Sequence, residues 1–302
     1  MLKAYSLLDA QRLANRFQVD WQFVQPSELP NSDAARESNA LRKKWGHYLG
    51  ATLYYEGEWY WGIDRLHHLE DRLNDLGLGQ TNVNTHLFPA SQYANCQVTP
   101  QNTSIDFFFS FRSPYSAIAA ARIFHWAHQA GVNIKLRYVL PMVMRGLPVP
   151  AEKRKYISLD AAREAHVQGV PFGRLNDPVG KPTERGLALM PFAEMHNLAE
   201  DYVMSFMQGV WSEGLDAGLD SHLKIIVERA GLNWTAAKDI LRSQSNEAHW
   251  RSIAEENRQA LFALGLWGVP SFRCENTSAW GQDRFWVIED ALNAQFGAFP
   301  DD

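Results

Sequence analysis

The chain has 302 residues, of which 46% are hydrophobic and 21% charged, so it is a folded globular protein with room for one large domain or two modest ones. Its formal net charge is −5 and its lysines and arginines are scattered, which argues against a nucleic-acid-binding protein and favours a small-molecule partner. The N-terminal stretch is too weakly apolar for a signal peptide and no run is long enough to span a membrane, so we predict a cytoplasmic protein.

An internal repeat is the first organised feature along the chain. Trp-Gly-Ile-Asp-Arg at Trp61–Arg65 returns as Trp-Gly-Gln-Asp-Arg at Trp280–Arg284, and a Glu-Asp pair and a leucine follow both at the same spacing. Each copy is predicted to form two strands joined by a turn, then a helix that opens near the Asp-Arg pair. We therefore predict that residues 1–76 are a partial, degenerate copy of part of a domain at 104–297.

The copies differ just before their strands. Aligning them places Val269-Pro270 opposite Ala51-Thr52, so only the C-terminal copy has the proline.

The polar stretch at 77–103 between the copies is interpreted as a linker. The aromatic strands of the first copy need a cover, and we expect this copy to pack on the C-terminal domain rather than be released from it by proteolysis.

The C-terminal domain is predicted to begin with a strand, a helix and a second strand. Ile105–Phe109 is a very aromatic run, and the helix after it has Ser113 as a plausible N-cap with Pro114 in its first turn. Alternating apolar residues from Ile134 to Leu140 predict the second strand. The mostly helical signals at about 150–264 predict an all-helical insertion before the second half of the fold begins at Val269.

The two cysteines carry little chemistry in this pattern. Cys96 and Cys274 stand far apart in sequence, which gives no Cys-x-x-Cys pair, no disulfide framework and no zinc spacing. We interpret both as structural thiols and predict no metal site.

Ser113 is the residue that could support chemistry. A helix N-terminus carries unpaired N–H groups and partial positive charge, and a hydroxyl there could donate to a bound thiolate. The alternative is that Ser113 is a helix cap and nothing more.

The motifs of the C-terminal part resemble a known family in combination. Ser-Pro-Tyr-Ser at Ser113–Ser116, Trp-Gly-Val-Pro-Ser-Phe at Trp267–Phe272 and Trp-Gly-Gln-Asp-Arg at Trp280–Arg284 are similar to those of 2-hydroxychromene-2-carboxylate isomerases and kappa-class glutathione transferases. The resemblance implies an α/β thioredoxin-like fold of the DsbA type, built from a βαβ and a ββα half with a helical insertion. The first copy would then be a partial thioredoxin-like repeat.

The resemblance also implies site residues. Ser113 corresponds to the serine that keeps the glutathione sulfur as thiolate, and Pro270 to a cis-proline whose neighbour Val269 pairs through its backbone with the cysteine moiety. Asp283 and Arg284 correspond to the segment that receives the γ-glutamyl end. A helix-start salt bridge is the alternative for this pair, because Asp64 and Arg65 repeat it where no ligand is expected.

The implied activity is isomerisation of an aromatic or conjugated keto acid by reversible addition of glutathione thiolate. Three alternatives stay open: a kappa-like glutathione transferase, another thiol, and a non-catalytic binding module. The last two rest on the segment Leu140–Pro148, which lacks the asparagine with which the family contacts glutathione. Arg145 in that segment could approach a carboxylate or solvent. Disulfide exchange is excluded because serines, and not cysteines, stand at positions 113 and 116. The family resemblance also allows a homodimer.

Overall fold

The computed structural model describes residues 2–22, 33–79, 86–91 and 103–296. Two compact units are present: Met1–Gln92 with Val149–Tyr156, and Tyr93–Pro148 with Ile157–Asp302. The domain bounds 1–76, 77–103 and 104–297 stay a prediction, and Cys96 and most of the proposed linker lie outside the described residues. Within those residues, no helix has the length and apolarity needed to cross a membrane.

The first unit contains the N-terminal copy of the repeat. Helices α1 (Leu2–Arg16) and α2 (Asp33–Lys44) precede the antiparallel strands β1 (Thr52–Tyr55) and β2 (Glu58–Trp61), and α3 (Leu66–Asp75) follows. The hairpin turn is tight because Glu56 and Gly57 both have positive φ, 42° and 91°, which matches the twist of a two-residue hairpin.

The second unit is built on a four-stranded sheet of order β4-β3-β5-β6. Its strands are β3 (Ser104–Phe109), β4 (Asn133–Tyr138), β5 (Ser271–Cys274) and β6 (Thr277–Trp280). β3 and β4 are parallel and joined through helix α4 (Pro114–Ala130), while β5 is antiparallel to β3 and to β6. α12 (Trp286–Phe296) follows the last strand. This is the thioredoxin-like arrangement of a βαβ and a ββα half that the motifs imply.

The insertion between β4 and β5 is helical, as predicted. Its seven helices are α5 (Ala151–Val167), α6 (Lys181–Ala188), α7 (Met190–Met195), α8 (Ala199–Trp211), α9 (Asp220–Arg229), α10 (Trp234–Arg242) and α11 (Gln244–Ala263).

Aromatic rings fill the core of the second unit. The rings of Phe107 and Phe272 stack across β3 and β5 with centroids 5.5 Å apart, and Phe124 of α4 meets Phe107 edge-on at 6.1 Å. All three side chains are buried, so the aromatic run of β3 serves packing. The polar residue of that strand, Asp106, is buried too, and Arg137 and Arg273 on the flanking strands donate to its carboxylate at 2.8 and 2.7 Å.

The two copies of the repeat share their hairpin geometry. Trp61 pairs with Thr52 in the first unit, and Trp280 pairs with Ser271 in the second. In addition, Arg65 Nη1 donates to the Asp64 carbonyl at 3.2 Å, just as Arg284 Nη1 donates to the Asp283 carbonyl at 3.3 Å.

This register corrects the sequence alignment by one residue. Gly62 N–H donates to the Ala51 carbonyl and Gly281 N–H to the Pro270 carbonyl, each at 3.0 Å. Ala51, and not Thr52, therefore stands at the position of Pro270. The alignment was misplaced because the spacing between the glycine upstream and the tryptophan of β2 or β6 differs by one residue between the copies.

Candidate functional site at the sheet edge

Three segments of the second unit meet at one edge of its sheet. β3 and β4 are parallel and end there, and the antiparallel β5 begins there. Ser113 follows β3, a 3-10 helix at Met142–Arg145 follows β4, and Pro270 directly precedes β5. Ligands of open α/β sheets bind at the carboxyl ends of such parallel strands, so this edge is where a site is expected.

Ser113 is the N-cap of α4, as predicted. Its backbone is extended (φ −100°, ψ 111°), and its Oγ accepts a hydrogen bond from the Ser116 N–H at 3.1 Å, with Pro114 in the first turn. The Ser113 hydroxyl also donates to the Val269 carbonyl at 3.4 Å. The same Ser113 hydroxyl therefore caps the helix through its oxygen and can donate through its proton. The two interpretations of Ser113 made from the sequence do not exclude each other.

Ser116 is not part of the same surface. Its side chain is fully buried, and its Oγ accepts a hydrogen bond from the Ser110 N–H at 3.4 Å inside the strand-to-helix turn. The Ser-Pro-Tyr-Ser motif thus presents one hydroxyl to the sheet edge and uses the other to hold the turn.

The Val269-Pro270 bond is cis, as the resemblance implies. The Val269 carbonyl accepts the Ser113 hydroxyl, while its N–H donates to no residue in the part of the chain that the structure describes. Gly268 lies so close to Trp280 that a Cβ on it would be 2.4 Å from the indole ring. Gly268 of the Trp-Gly-Val-Pro motif therefore packs closely on Trp280 of β6, and this packing positions the backbone of Val269 beside Ser113.

Asp283 and Arg284 form the helix-start ion pair that was the alternative for them. Arg284 Nη1 lies 3.6 Å from Asp283 Oδ1, and the two side chains are 7% and 18% exposed, respectively. Arg284 is thus largely enclosed, and Asp283 is the more accessible of the two. Their assignment to the γ-glutamyl end stays a prediction.

Three hydrogen bonds between the turn that carries Ser113 and the helical insertion hold this turn in place. Arg112 donates from Nε and Nη2 to the two carboxylate oxygens of Asp177, both at 2.7 Å, and Trp211 Nε1 donates to the Phe111 carbonyl at 3.0 Å. Bidentate arginine–carboxylate pairs fix orientation as well as distance.

Tyr115, on the other side of Ser113, is held by the insertion too. Its hydroxyl donates to Asp160 Oδ2 at 2.6 Å, and Arg163 donates to Asp160 Oδ1 at 3.0 Å. The Asp160 side chain is 1% exposed. Sequence reasoning missed these positioning residues, because nothing in the sequence marks Asp160 and Arg163 apart from the other charged residues of α5.

Cys274 offers no reactive thiol. It is a free, buried cysteine, and burial raises the pKa of its thiol to about 11, helped by the nearby negative charges of Glu275 and Asp106. A protonated, enclosed thiol is a poor nucleophile, and the interpretation of Cys274 as a structural or incidental thiol stays a prediction.

Comparison with known proteins places this geometry among related folds. The family model described as the DSBA-like thioredoxin domain matches residues 104–293. The 2-hydroxychromene-2-carboxylate isomerase of Pseudomonas putida is 25% identical over 196 residues, covering 62% of this chain and 93% of that protein. The one from Sphingobium xenophagum is 25% identical over 197 residues, covering 63% and 97%.

Solved structures agree on the fold. A 2-hydroxychromene-2-carboxylate isomerase structure superposes with a TM-score of 0.54 at 22% identity, covering 64% of this chain and 95% of that one. A probable DsbA oxidoreductase from Streptomyces coelicolor superposes with a TM-score of 0.50 at 17% identity, covering 67% and 93%.

Proposed function

We propose, from the premise that the chain belongs to the DSBA-like thioredoxin domain family, that it is a glutathione-dependent isomerase of a conjugated keto acid. The observation that carries the proposal is the Ser113 hydroxyl at the N-terminus of α4, 3.4 Å from the Val269 carbonyl and beside cis-Pro270. The names of the curated relatives support the same class of reaction.

The residues at the sheet edge fit a peptide-like thiol. Val269 offers a backbone N–H without a described partner, and its carbonyl is engaged only by the Ser113 hydroxyl at a long distance. A cysteine moiety could pair with both groups as a short extra strand does. Its sulfur would then lie near the α4 N-terminus, where the helix dipole and the Ser113 hydroxyl both favour the thiolate.

The role of Ser113 is to activate and not to attack. Glutathione, held by Val269 and Ser113, would supply a thiolate for reversible addition to an electron-poor carbon, so that no thiol would be consumed. The chain orients the thiol and lowers its pKa, and it needs no nucleophilic side chain of its own. Disulfide exchange is not proposed, because Ser113 and Ser116 stand where a disulfide would need two cysteines.

A turnover assay with 2-hydroxychromene-2-carboxylate tests this function. We expect conversion to the ring-opened keto-acid isomer at substoichiometric glutathione and none without thiol. A stable thioether as the product would indicate a transferase instead, and no turnover with any thiol would indicate a binding module.

Two substitutions of Ser113 separate its role as a hydrogen-bond donor to the sulfur from its role as the helix N-cap. Ser113→Asp keeps a side-chain oxygen that caps the helix but sets a negative charge against the thiolate, so we expect normal stability and lost turnover. Ser113→Ala should lose turnover and about 0.5–2 kcal/mol of stability as well. Ser116→Ala, the same change at the buried serine, is the control and should keep thiol dependence. Full activity in Ser113→Asp would contradict the proposal.

A further inference from the structure

Arg145 occupies the third segment of the sheet edge. The 3-10 helix at Met142–Arg145 begins four residues after the end of β4, whose C-terminal end lies beside that of β3, the strand that leads to Ser113. Gly146, in the left-handed conformation at φ 77°, ends this short helix immediately after Arg145. The chain therefore places a guanidinium on the segment that borders the proposed thiol site.

The Arg145 guanidinium is partly enclosed and lacks a carboxylate partner. Its Nε is buried without a hydrogen-bond partner, and no ion pair joins it to any residue within the described ranges. Its Cζ lies 5.9 Å from the centre of the Phe262 ring in α11. Burial, and then the nearby charge of Arg258, lowers the pKa of Arg145, although arginine stays protonated in proteins.

Glu255, whose negative charge acts on Arg145, is already bound by other residues. Arg258 donates from Nε to Glu255 Oε2 at 2.7 Å and contacts the other Glu255 oxygen through Nη2, while Gln259 donates to Glu255 at 3.1 Å. Arg258 also stacks on Phe262, with Cζ 4.8 Å from the ring centre. Two guanidiniums thus share the Phe262 ring while the carboxylate is bound by Arg258 and not by Arg145, which leaves a net positive charge at Arg145.

We propose that Arg145 binds a carboxylate of the ligand whose reacting atoms lie at Ser113. An unpaired guanidinium on an aromatic face, at the edge where three site segments meet, suits a planar carboxylate that it can hold with two hydrogen bonds. This role rests on the proposed function, which offers two sources for that carboxylate: the keto acid, or the glycine end of glutathione. In either case Arg145 would supply binding where the family's asparagine is missing.

The test is calorimetric titration of the full chain with four probes. Benzylidenepyruvate and its methyl ester report on the keto-acid carboxylate, and glutathione and γ-glutamylcysteine report on the glycine carboxylate. The variants are Arg145→Met, which keeps an apolar stem against Phe262, and Arg145→Lys, which keeps the charge. Arg242→Met, at an exposed arginine near Asp239 on α10, is the matched control for charge loss.

The inference predicts weaker binding of one acid only. Loss of about tenfold or more in affinity of Arg145→Met for benzylidenepyruvate, but not for its ester, assigns the keto acid; the same loss for glutathione, but not for γ-glutamylcysteine, assigns the cofactor. Arg145→Lys should fall in between, and Arg242→Met should bind as wild type does. Unchanged binding of every probe by Arg145→Met, or no binding of any acid by wild type, overturns the inference.

The two proposals fail in different ways. Absence of thiol-dependent turnover in wild type would overturn the proposed function, while Arg145-dependent binding of benzylidenepyruvate without thiol would still uphold the carboxylate site. Conversely, full thiol-dependent turnover with unchanged binding in Arg145→Met would overturn only the carboxylate site.

Discussion

The Ser113 hydroxyl acts both as a hydrogen-bond acceptor and as a hydrogen-bond donor. It accepts from the Ser116 N–H at 3.1 Å and donates to the Val269 carbonyl at 3.4 Å. The second contact is longer than a good O–H···O bond and is therefore weak. A thiolate beside Ser113 could accept this hydrogen bond in place of the Val269 carbonyl at small cost, without disturbing the cap that begins α4.

The Cys274 thiol should be unreactive in the folded protein at pH 8. Because burial raises the pKa of its thiol to about 11, only about one part in a thousand is thiolate at pH 8. A Cys96→Ser variant should therefore resist a thiol-specific disulfide reagent at pH 8 and react once denaturant is added. Rapid stoichiometric reaction of the native variant would show that Cys274 is neither enclosed nor shifted.

At the scale of elements, the strands of the site and helix α4 could be predicted, but the 3-10 helix at Met142–Arg145 and the contacts between distant elements could not. The N-cap at Ser113 and both hairpins follow from local patterns, because each depends on residues within a few positions. The pairs that hold the site turn join residues 65, 45 and 100 positions apart. No periodicity in the sequence encodes such pairs, since their partners meet only after the insertion has packed.

The packing of Gly268 against β6 predicts a loss of stability on substitution, and Gly50 of the first unit provides the control. A Cβ at Gly268 would lie 2.4 Å from the Trp280 ring, whereas one at Gly50, the glycine before the first hairpin, would meet nothing within 4 Å. Gly268→Ala should therefore cost about 1–3 kcal/mol of stability through overpacking, and Gly50→Ala should be close to neutral. Denaturant unfolding of both variants checks this, and equal effects would contradict the assigned packing.

At the scale of the whole molecule, the repeat duplicates a scaffold without duplicating the site. The first unit contains the hairpin and the Asp64–Arg65 turn, with Ala51 at the position of Pro270. No strand of the described first unit leads into a helix in the manner of β3 and α4. The shared Asp-Arg geometry is thus common to both copies, and the proposed binding site would need the elements found in the second copy.

Stoichiometry tests this view of the repeat. We expect one glutathione per chain in calorimetric titration, with affinity about tenfold lower in Asp283→Ala because a charged partner of the ammonium group is lost. Asp64→Ala, which removes the carboxylate at the matching position of the first copy, should leave the affinity unchanged. Two sites per chain, or equal losses in the two variants, would refute the assignment of Asp283.

The pKa of the bound glutathione thiol tests the central claim most directly. It is measured from the ultraviolet absorbance of the thiolate across a pH series, with the absorbance of the unliganded protein subtracted. Because the α4 N-terminus and the Ser113 hydroxyl stabilise the anion, the pKa should fall below the value of about 8.5 typical of a free cysteine thiol, and Ser113→Asp should raise it. A bound thiol that titrates like free glutathione in both proteins would contradict the claim that this chain activates a thiol.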